Sequence, residues 1–550
     1  MLQRHAYALG VLAPLVVGCG HKDDAAAAAI TSAPVEETIS RTAKLASIAM
    51  MTNVYAEPSP DAKKLGYLRL GAVVARSERA HGTSGCPGGW YAIAPAGYVC
   101  AGKTATLDAD APLVRAASVR PDQSRPLPYA YGFVRAVSPL YVRLPTTREA
   151  ERVEYKLANH LRWVERHADE INRVRDGAND AARELFPDAP EAPRSSTLPP
   201  EILLGGKTDA DPVPFWLEND VRSIPNVSGF EVPATSYFAN RVRRHNGLAF
   251  VGTFDSGILH GHRKFAVTTD LRLIPVDRVK PETASAFHGV ELSGEVTLPV
   301  AFAKPCDPHA KGPPEPCRRA YLAEGDRLRV APELLGAREM LRLTGKDLRK
   351  NGKRFLETHD GRWVRSGDVG IAAAPKKFPL VAERGERWID VSIEEQTLVL
   401  WEGKRPVFAT LVTTGQDGLA DPKTSKATIR GFFRVKSKHV TATMDSNERS
   451  SQSGGAAPDP RAGESPTAED KHAGNFELRD VPYVQYFHDG YALHAAYWHD
   501  HFGMPRSHGC INLAPIDAMR VFRFTEPAVP EGWHGVQVEK GQGTPVIVHR

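Results

Sequence analysis

The feature that most constrains the fold is the apolar alternation that begins near Glu383. "RWIDVSIEEQTLVLWEGKRPVFATLVTTG" (387–415) gives two or three strands with a turn at Gly403, and "GFFRVKS" (431–437) and "VPYVQYFHDGYALHAAYW" (481–498) continue the pattern. The last third of the chain is therefore mostly sheet. Any reactive side chain it carries arrives on a strand or an inter-strand loop, positions that a sheet holds rigidly. One such side chain stands out: Cys510, in "SHGCIN" (507–512), sixteen residues after His494.

The remaining cysteines give Cys510 its meaning. The chain has 550 residues and only six cysteines, with enough length for roughly three or four domains. Residues 1–19 read as an export signal: Arg4, then an apolar segment from Tyr7 to Val17 too short to span a bilayer, then "VVGC". That ending resembles a bacterial lipobox, which implies an acylated Cys19; a plain signal peptide is the alternative. The expectation is an exported, periplasmic protein, lipid-anchored at the outer membrane, whose only membrane attachment is the lipid. Export permits disulfides. Cys86 and Cys100 share a small glycine-rich segment, and Cys306 and Cys317 bracket the proline-rich "DPHAKGPPEP", so each pair is expected to close a loop. Cys510 is then the one thiol left for chemistry.

A net charge of +5, spread over 70 basic and 65 acidic residues without a long basic run, gives no reason to expect a nucleic-acid partner. Residues 20–45 read as a flexible tether. Short β-rich runs with Gly/Pro turns over 46–107 fit a small barrel and resemble the bacterial SH3-like modules appended to cell-wall enzymes. Residues 108–380 read as a central α+β region without recognisable chemistry. In it, a long helix over about 146–175 is predicted from the Thr146/Glu149 capping box and a stripe of Val153, Leu157, Leu161, Val164, Ala168 and Ile171, taken as packing surface. Phe265, Thr268, Asp270 and Arg272 repeat as Phe355, Thr358, Asp360 and Arg362, suggesting duplicated β-units within 240–380. The Gly/Pro/Ser-rich insertion 446–475 reads as a mobile segment.

A thiol attacks only as thiolate, and at an ordinary pKa of about 8.5 it needs a base. His494 ends a strand, and the turn-forming "GMPRSHG" can fold Cys510 back to it. Gly509 lets the backbone approach a carbonyl, and the N–H groups at 509–510 suit an oxyanion. These parts imply acyl transfer through a thioester. Two other readings stand beside this one: an inert buried thiol, and a zinc site drawn from His494, His499, His501, His508 and Cys510, which lacks a compact ligand spacing.

The block "H494…SHGC510-I-N512" resembles the signature of the YkuD-type L,D-transpeptidases. "QTLVLWEG" from Gln396, "TG" at 414–415, "TIRG" at 428–431 and "GTPVIV" from Gly543 are similar to that domain's other landmarks in order. The resemblance covers 381–550 and implies a mostly-β sandwich or barrel as catalytic domain. It also implies Cys510 as nucleophile, His494 as base, the Ala495 carbonyl as orienter, Ser507, His508 and Gly509 around the oxyanion pocket, and Asn512 bracing the loop. Neither metal nor cofactor is implied. The implied substrates are peptidoglycan stem peptides, a tetrapeptide donor and a diamino-acid amine acceptor joined in a 3→3 cross-link. L,D-carboxypeptidase activity, attachment of a protein to the wall, or a non-catalytic wall-binding scaffold are the alternatives. Two departures are a short interval of twelve residues between His494 and Ser507 and T-I-R-G where the family has T-P-x-G.

Overall fold

The computed structural model describes residues 39–168, 198–207, 211–229, 232–233, 235–306, 318–445 and 477–550. The protein is mostly β and multidomain. Cys19, Cys317 and the 446–475 insertion lie outside the described residues.

Seven short strands open the fold: β1 (Lys44–Ser47), β2 (Thr52–Tyr55), β3 (Lys64–Leu68), β4 (Val73–Ala75), β5 (Trp90–Ala92), β6 (Tyr98–Cys100) and β7 (Ala105–Thr106). They enclose a small core of Leu45, Val54, Leu68, Val74, Ile93 and Val99. A disulfide joins Cys86 to Cys100 with the Cα atoms 5.8 Å apart.

The central region holds two units of seven strands. The first has β8 (Ala130–Val134), β9 (Ser138–Tyr141), β10 (Phe238–Val242), β11 (Gly247–Asp255), β12 (Lys264–Thr268), β13 (Leu273–Pro275) and β14 (Val279–Glu282). After the two-residue β15 (Val290–Glu291) comes the second, with β16 (Val300–Ala303), β17 (Arg319–Glu324), β18 (Arg327–Leu334), β19 (Met340–Lys350), β20 (Lys353–Thr358), β21 (Arg362–Arg365) and β22 (Val369–Ala372). Hydrogen bonding orders the first β10-β9-β13-β12-β11-β8-β14 and the second β18-β17-β21-β20-β19-β16-β22, the same path strand for strand. The Thr-x-Asp-x-Arg signatures make equivalent turns. Thr268 Oγ1 donates to Asp270 and to the Arg272 carbonyl, and Thr358 Oγ1 to Asp360 and the Arg362 carbonyl. The repeat thus reaches upstream of residue 240, to Ala130, because the helical segment inserted between β9 and β10 separates its first two strands from the rest.

The long helix expected over 146–175 is instead two helices, Thr147–Val153 and Leu157–Arg166, and Leu161 on the expected packing stripe is 40% exposed. The Thr146–Glu149 capping box is formed. The break has a polar cause. Glu154 is buried and accepts from Tyr141 Oη at 2.8 Å and from Arg263 Nη1 at 2.6 Å and Nη2 at 2.9 Å, which draws the backbone out of helical conformation before Lys156 enters the left-handed region at φ 49°. Residues from 169 to 197 lie outside the described residues.

The C-terminal domain comprises β23 (Arg387–Ser392), β24 (Thr397–Glu402), β25 (Arg405–Leu411), β26 (Gly431–Arg434), β27 (Ser437–Asp445), β28 (Glu477–His488), β29 (Tyr491–Ala495), β30 (Ile511–Leu513), β31 (Gly535–Gln537) and β32 (Pro545–His549). One sheet runs β15-β25-β24-β23-β32-β26; a second carries β27 to β31. Between them, with the helix Pro515–Phe524, lies a core of Ile389, Leu400, Val412, Phe487, Met519 and Val546. This second sheet does not stop at the domain: β31 pairs with β3, and β28 pairs with β11.

Candidate active site

The site is built by two parallel strands. β29 pairs with β30 in the register Leu493↔Ile511, His494↔Asn512 and Ala495↔Leu513. Strand alternation sorts the side chains: Leu493, Ala495, Ile511 and Leu513 enter the main core, while Ala492 and Cys510 face a separate cluster of Met444, Leu478, Val481 and Val484. His494 and Asn512 share that second face by the same period, two residues on from Ala492 and Cys510. Trp498 closes the arrangement, packing on the cluster beside Cys510 and stacking on His494 with ring centroids 5.7 Å apart. Cys510 is half-buried, lies outside any disulfide, and its Sγ is 3.5 Å from the Gly490 carbonyl.

His494 is buried, and its Nδ1 is 3.0 Å from the Ala495 carbonyl. A carbonyl only accepts, so Nδ1 carries the proton and Nε2 keeps its lone pair. Burial pushes the imidazole down to about 4, with the Ala495 hydrogen bond opposing, so the ring is neutral near pH 7.

The turn before Cys510 is held from two sides. Ser507 Oγ donates to the Cys510 carbonyl at 2.5 Å and accepts from the Gly509 N–H at 3.1 Å. Thr428 Oγ1 donates to the Gly509 carbonyl at 2.8 Å and accepts from the Gly415 N–H at 2.8 Å. Gly509 sits at φ 129°, and a Cβ there would lie 2.8 Å from Tyr491 Cε1. Of the two N–H groups expected to face an oxyanion, that of Gly509 is therefore directed at Ser507 Oγ. His508 is exposed, away from the buried Ser507 and Gly509. Thr428 is a residue that sequence reasoning missed as part of the site. It stands in the sequence as the first residue of the T-I-R-G landmark.

Asn512 exchanges backbone hydrogen bonds with Thr413, both 2.9 Å, and its side-chain amide lies 3.0 Å from His499 Nε2. The His501 N–H donates to His499 Nδ1 at 3.3 Å. Asn512 Nδ2 is the amide atom that faces His499 Nε2, and burial holds the His499 ring down at about 3. His499 is tied into the site through Asn512. Among the described residues no three His, Cys, Asp or Glu side chains are grouped to hold a metal ion. A separate cleft of about 350 Å³ is lined by Arg387, Arg405, Arg520 and Arg523 with Glu291 and Glu402, and includes none of the Cys510 cluster.

Residues 386–548 match the family described as the L,D-transpeptidase catalytic domain, YkuD. Solved structures similar to this chain include an L,D-transpeptidase cysteine mutant of Enterococcus faecium, at 20% identity over 32% of this chain and 55% of that one, TM-score 0.20. Others are the L,D-transpeptidase of Mycobacterium smegmatis, at 21% identity over 38% and 82%, TM-score 0.21, and the catalytic domain of the E. faecium enzyme, at 22% over 30% and 98%, TM-score 0.20. The chain spans 55% of the E. faecium mutant, 56% of a Stackebrandtia nassauensis and 64% of a Xylanimonas cellulosilytica L,D-transpeptidase. No curated protein matches.

Proposed function

We propose that the protein is an L,D-transpeptidase of peptidoglycan stem peptides that works through a Cys510 thioester. The observation that carries this reading is the β29–β30 pairing, which sets His494 and Cys510 on one face with the His494 lone pair at Nε2. As Cys510 Sγ attacks the amide carbonyl between the diamino acid and the terminal D-alanine, Nε2 accepts the thiol proton. The S–C bond forms, the C–N bond breaks, and the imidazolium returns the proton to the leaving D-alanine amine. An amine of a neighbouring stem then attacks the thioester, giving a 3→3 cross-link and regenerating the thiol. A Gly509 N–H that turns from Ser507 Oγ toward the developing oxyanion would stabilise both tetrahedral states. With Nδ1 bonded to the Ala495 carbonyl, His494 serves as the general base through Nε2. Water as acceptor would make the enzyme an L,D-carboxypeptidase, and a protein amine would make it an attachment enzyme. A silent wall-binding scaffold has no use for this geometry.

The lipobox-like end of the leader supports export and acylation of Cys19, and the Cys86–Cys100 disulfide supports an oxidising compartment. By resemblance, residues 46–107 supply an SH3-like module. Intact-mass analysis should find a diacylated Cys19 as the mature N-terminus; an unmodified terminus elsewhere rejects the anchor.

The mechanism is tested by mass spectrometry with a carbapenem and with a disaccharide-tetrapeptide. Cys510→Ala should abolish the adduct and all turnover, and His494→Ala should slow acylation by about 10²–10⁴-fold. A dimer lacking one D-alanine identifies transfer, and a tripeptide monomer identifies trimming. Wild-type product formation by Cys510→Ala would place the chemistry elsewhere.

A further inference from the structure

On the reading of Cys510 as the acyl carrier, we propose that Arg338 and Ser285, both from the central region, are positioning residues for the catalytic centre: they clamp Asp500 and so fix the segment 496–506 that holds His494 and Asn512 in place.

This segment joins His494 to Ser507, and two of its side chains and one of its backbone carbonyls serve the site or its support. Trp498 stacks on His494, His499 meets the Asn512 amide, and the His501 carbonyl accepts from Thr413 Oγ1 at 3.2 Å. It contains no helix or strand, so its position depends on what grips it.

The grip comes from the two units and from the connector between them. Arg338 Nη2 lies 2.7 Å from Asp500 Oδ2 and Nη1 donates to the Asp500 carbonyl at 2.9 Å, a two-point fork on one residue. Ser285 Oγ donates to the other carboxylate oxygen of Asp500. Phe287 stacks on Phe502 with centroids 6.0 Å apart and lies under the Arg338 guanidinium at 5.3 Å. At the other end of the segment, Tyr497 is buried against Tyr131 of the first unit, with centroids 4.5 Å apart. Arg338 itself is held at φ 58°, a left-handed conformation that a non-glycine residue keeps only where its surroundings over-determine it, and such residues gather at functional sites. The segment is thus pinned by the first unit through Tyr497, by the connector between the units through Phe502, and by that connector together with Arg338 of the second unit through Asp500, while its middle presents Trp498 and His499 to the catalytic pair.

The test uses the full chain with Arg338→Ala, Ser285→Ala, Arg338→Lys and the exchanged pair Arg338→Asp/Asp500→Arg. Two readouts are taken: the rate of Cys510 acylation by a carbapenem, and the pH profile of Cys510 alkylation by iodoacetamide. Arg338→Ala should slow acylation about tenfold, within what a misplacement remote from the chemistry produces, and should displace the alkylation profile along the pH axis. The exchanged pair should recover part of the loss, and Arg338→Lys less, because an ammonium cannot make the fork. A merely structural contact would lower the melting temperature and leave the pH profile of the folded fraction where it was. A folded Arg338→Ala protein with wild-type acylation and a wild-type profile overturns the proposal. If the wild-type protein takes no carbapenem, the transpeptidase reading fails, and the alkylation profile alone still decides the clamp.

Discussion

Replacing Arg69 with methionine should destabilise the whole protein, because Arg69 is the cation of a buried three-region joint. It follows β3, and its Nη1 lies 2.5 Å from Asp480 Oδ1 on β28; their side chains are 13% and 4% exposed. Asp480 also accepts from Thr269 Oγ1 of the first central unit at 2.5 Å and from Thr441 Oγ1 of β27 at 2.8 Å. Burial pushes the Asp480 carboxyl up, but Arg69 and these hydroxyl donors outweigh it and hold the group below the usual carboxylate range. Arg69→Met keeps the apolar length and strands that charge. Breaking one side of a buried pair costs about 3–5 kcal/mol, whereas replacing both sides with apolar groups is often neutral. For a cooperative unit of 150–250 residues, roughly 2–4 °C per kcal/mol converts this to a drop of about 6–20 °C. The assay is scanning calorimetry of the wild type, Arg69→Met, Asp480→Leu and the double variant, which should recover most of the loss. A single-variant effect under about 1 kcal/mol, or a double variant no better than the single, refutes the joint as a desolvated pair.

Acid should weaken the fold well above the carboxylate range. Burial lowers His494 and His439 to about 4, His499 to about 3, and His534 likewise well below its ordinary value. Their contribution is complete above about 6.5 and is lost as pH falls toward their folded values, each worth about 1.4 kcal/mol per pH unit. Asp517, pushed up to about 7 by burial, has the opposite slope and offsets one of them. Urea titrations from pH 6.5 down to 4.5 should therefore show falling stability, and a flat series would contradict the burial. Gly509→Ala should slow carbapenem acylation by about 10²-fold, because its Cβ meets the Tyr491 ring, and adding Tyr491→Ala should restore part of the rate, read by intact mass. Loss of the Cys86–Cys100 disulfide, whose cysteines are 14 residues apart, should cost about 3 kcal/mol, measured by denaturation of the Cys86→Ser/Cys100→Ser protein.

The strands of the C-terminal domain were legible because period-two alternation and Gly/Pro turns are local. The parallel pairing of β29 with β30 was not, since Tyr491–Ala495 and Ile511–Leu513 are brought together only by the rest of the sheet. Cys510 and His494 stood out by residue type and spacing. Thr428 and Trp498 did not, because a threonine in a turn and a tryptophan in an aromatic run ordinarily serve packing. The long helix failed for a tertiary reason: the 3–4 spacing continues through Glu154, but Arg263 and Arg278, more than a hundred residues away, capture that carboxylate.

The same short signature takes two fates, and the difference shows how the regions are joined. In the second unit the Asp360–Arg362 turn stands partly in solvent, with Arg362 also reaching Glu339 at 2.7 Å. In the first unit the equivalent Asp270–Arg272 turn is buried, and Arg479, beside Asp480 on β28, reaches Asp270 Oδ2 at 3.5 Å. Two charged side chains of one turn are withdrawn from water there, which is tolerable only because β28 supplies a further cation and because β11 pairs with β28. β28 in turn pairs with β29, which carries His494, so the strand that satisfies the buried turn also borders the candidate site. On the other sheet, β15 adds an edge to β25, and the Gly289 N–H donates to Asp517 of the helix packed beneath β29 at 2.9 Å. Cut at residue 381, the C-terminal domain would keep Cys510 and His494 but expose the edges and leave the charges that the preceding regions now cover. Strands β3, β11 and β15 of the preceding regions therefore pair with or extend the sheets of the C-terminal domain, which is joined to them by paired backbone and shared charges.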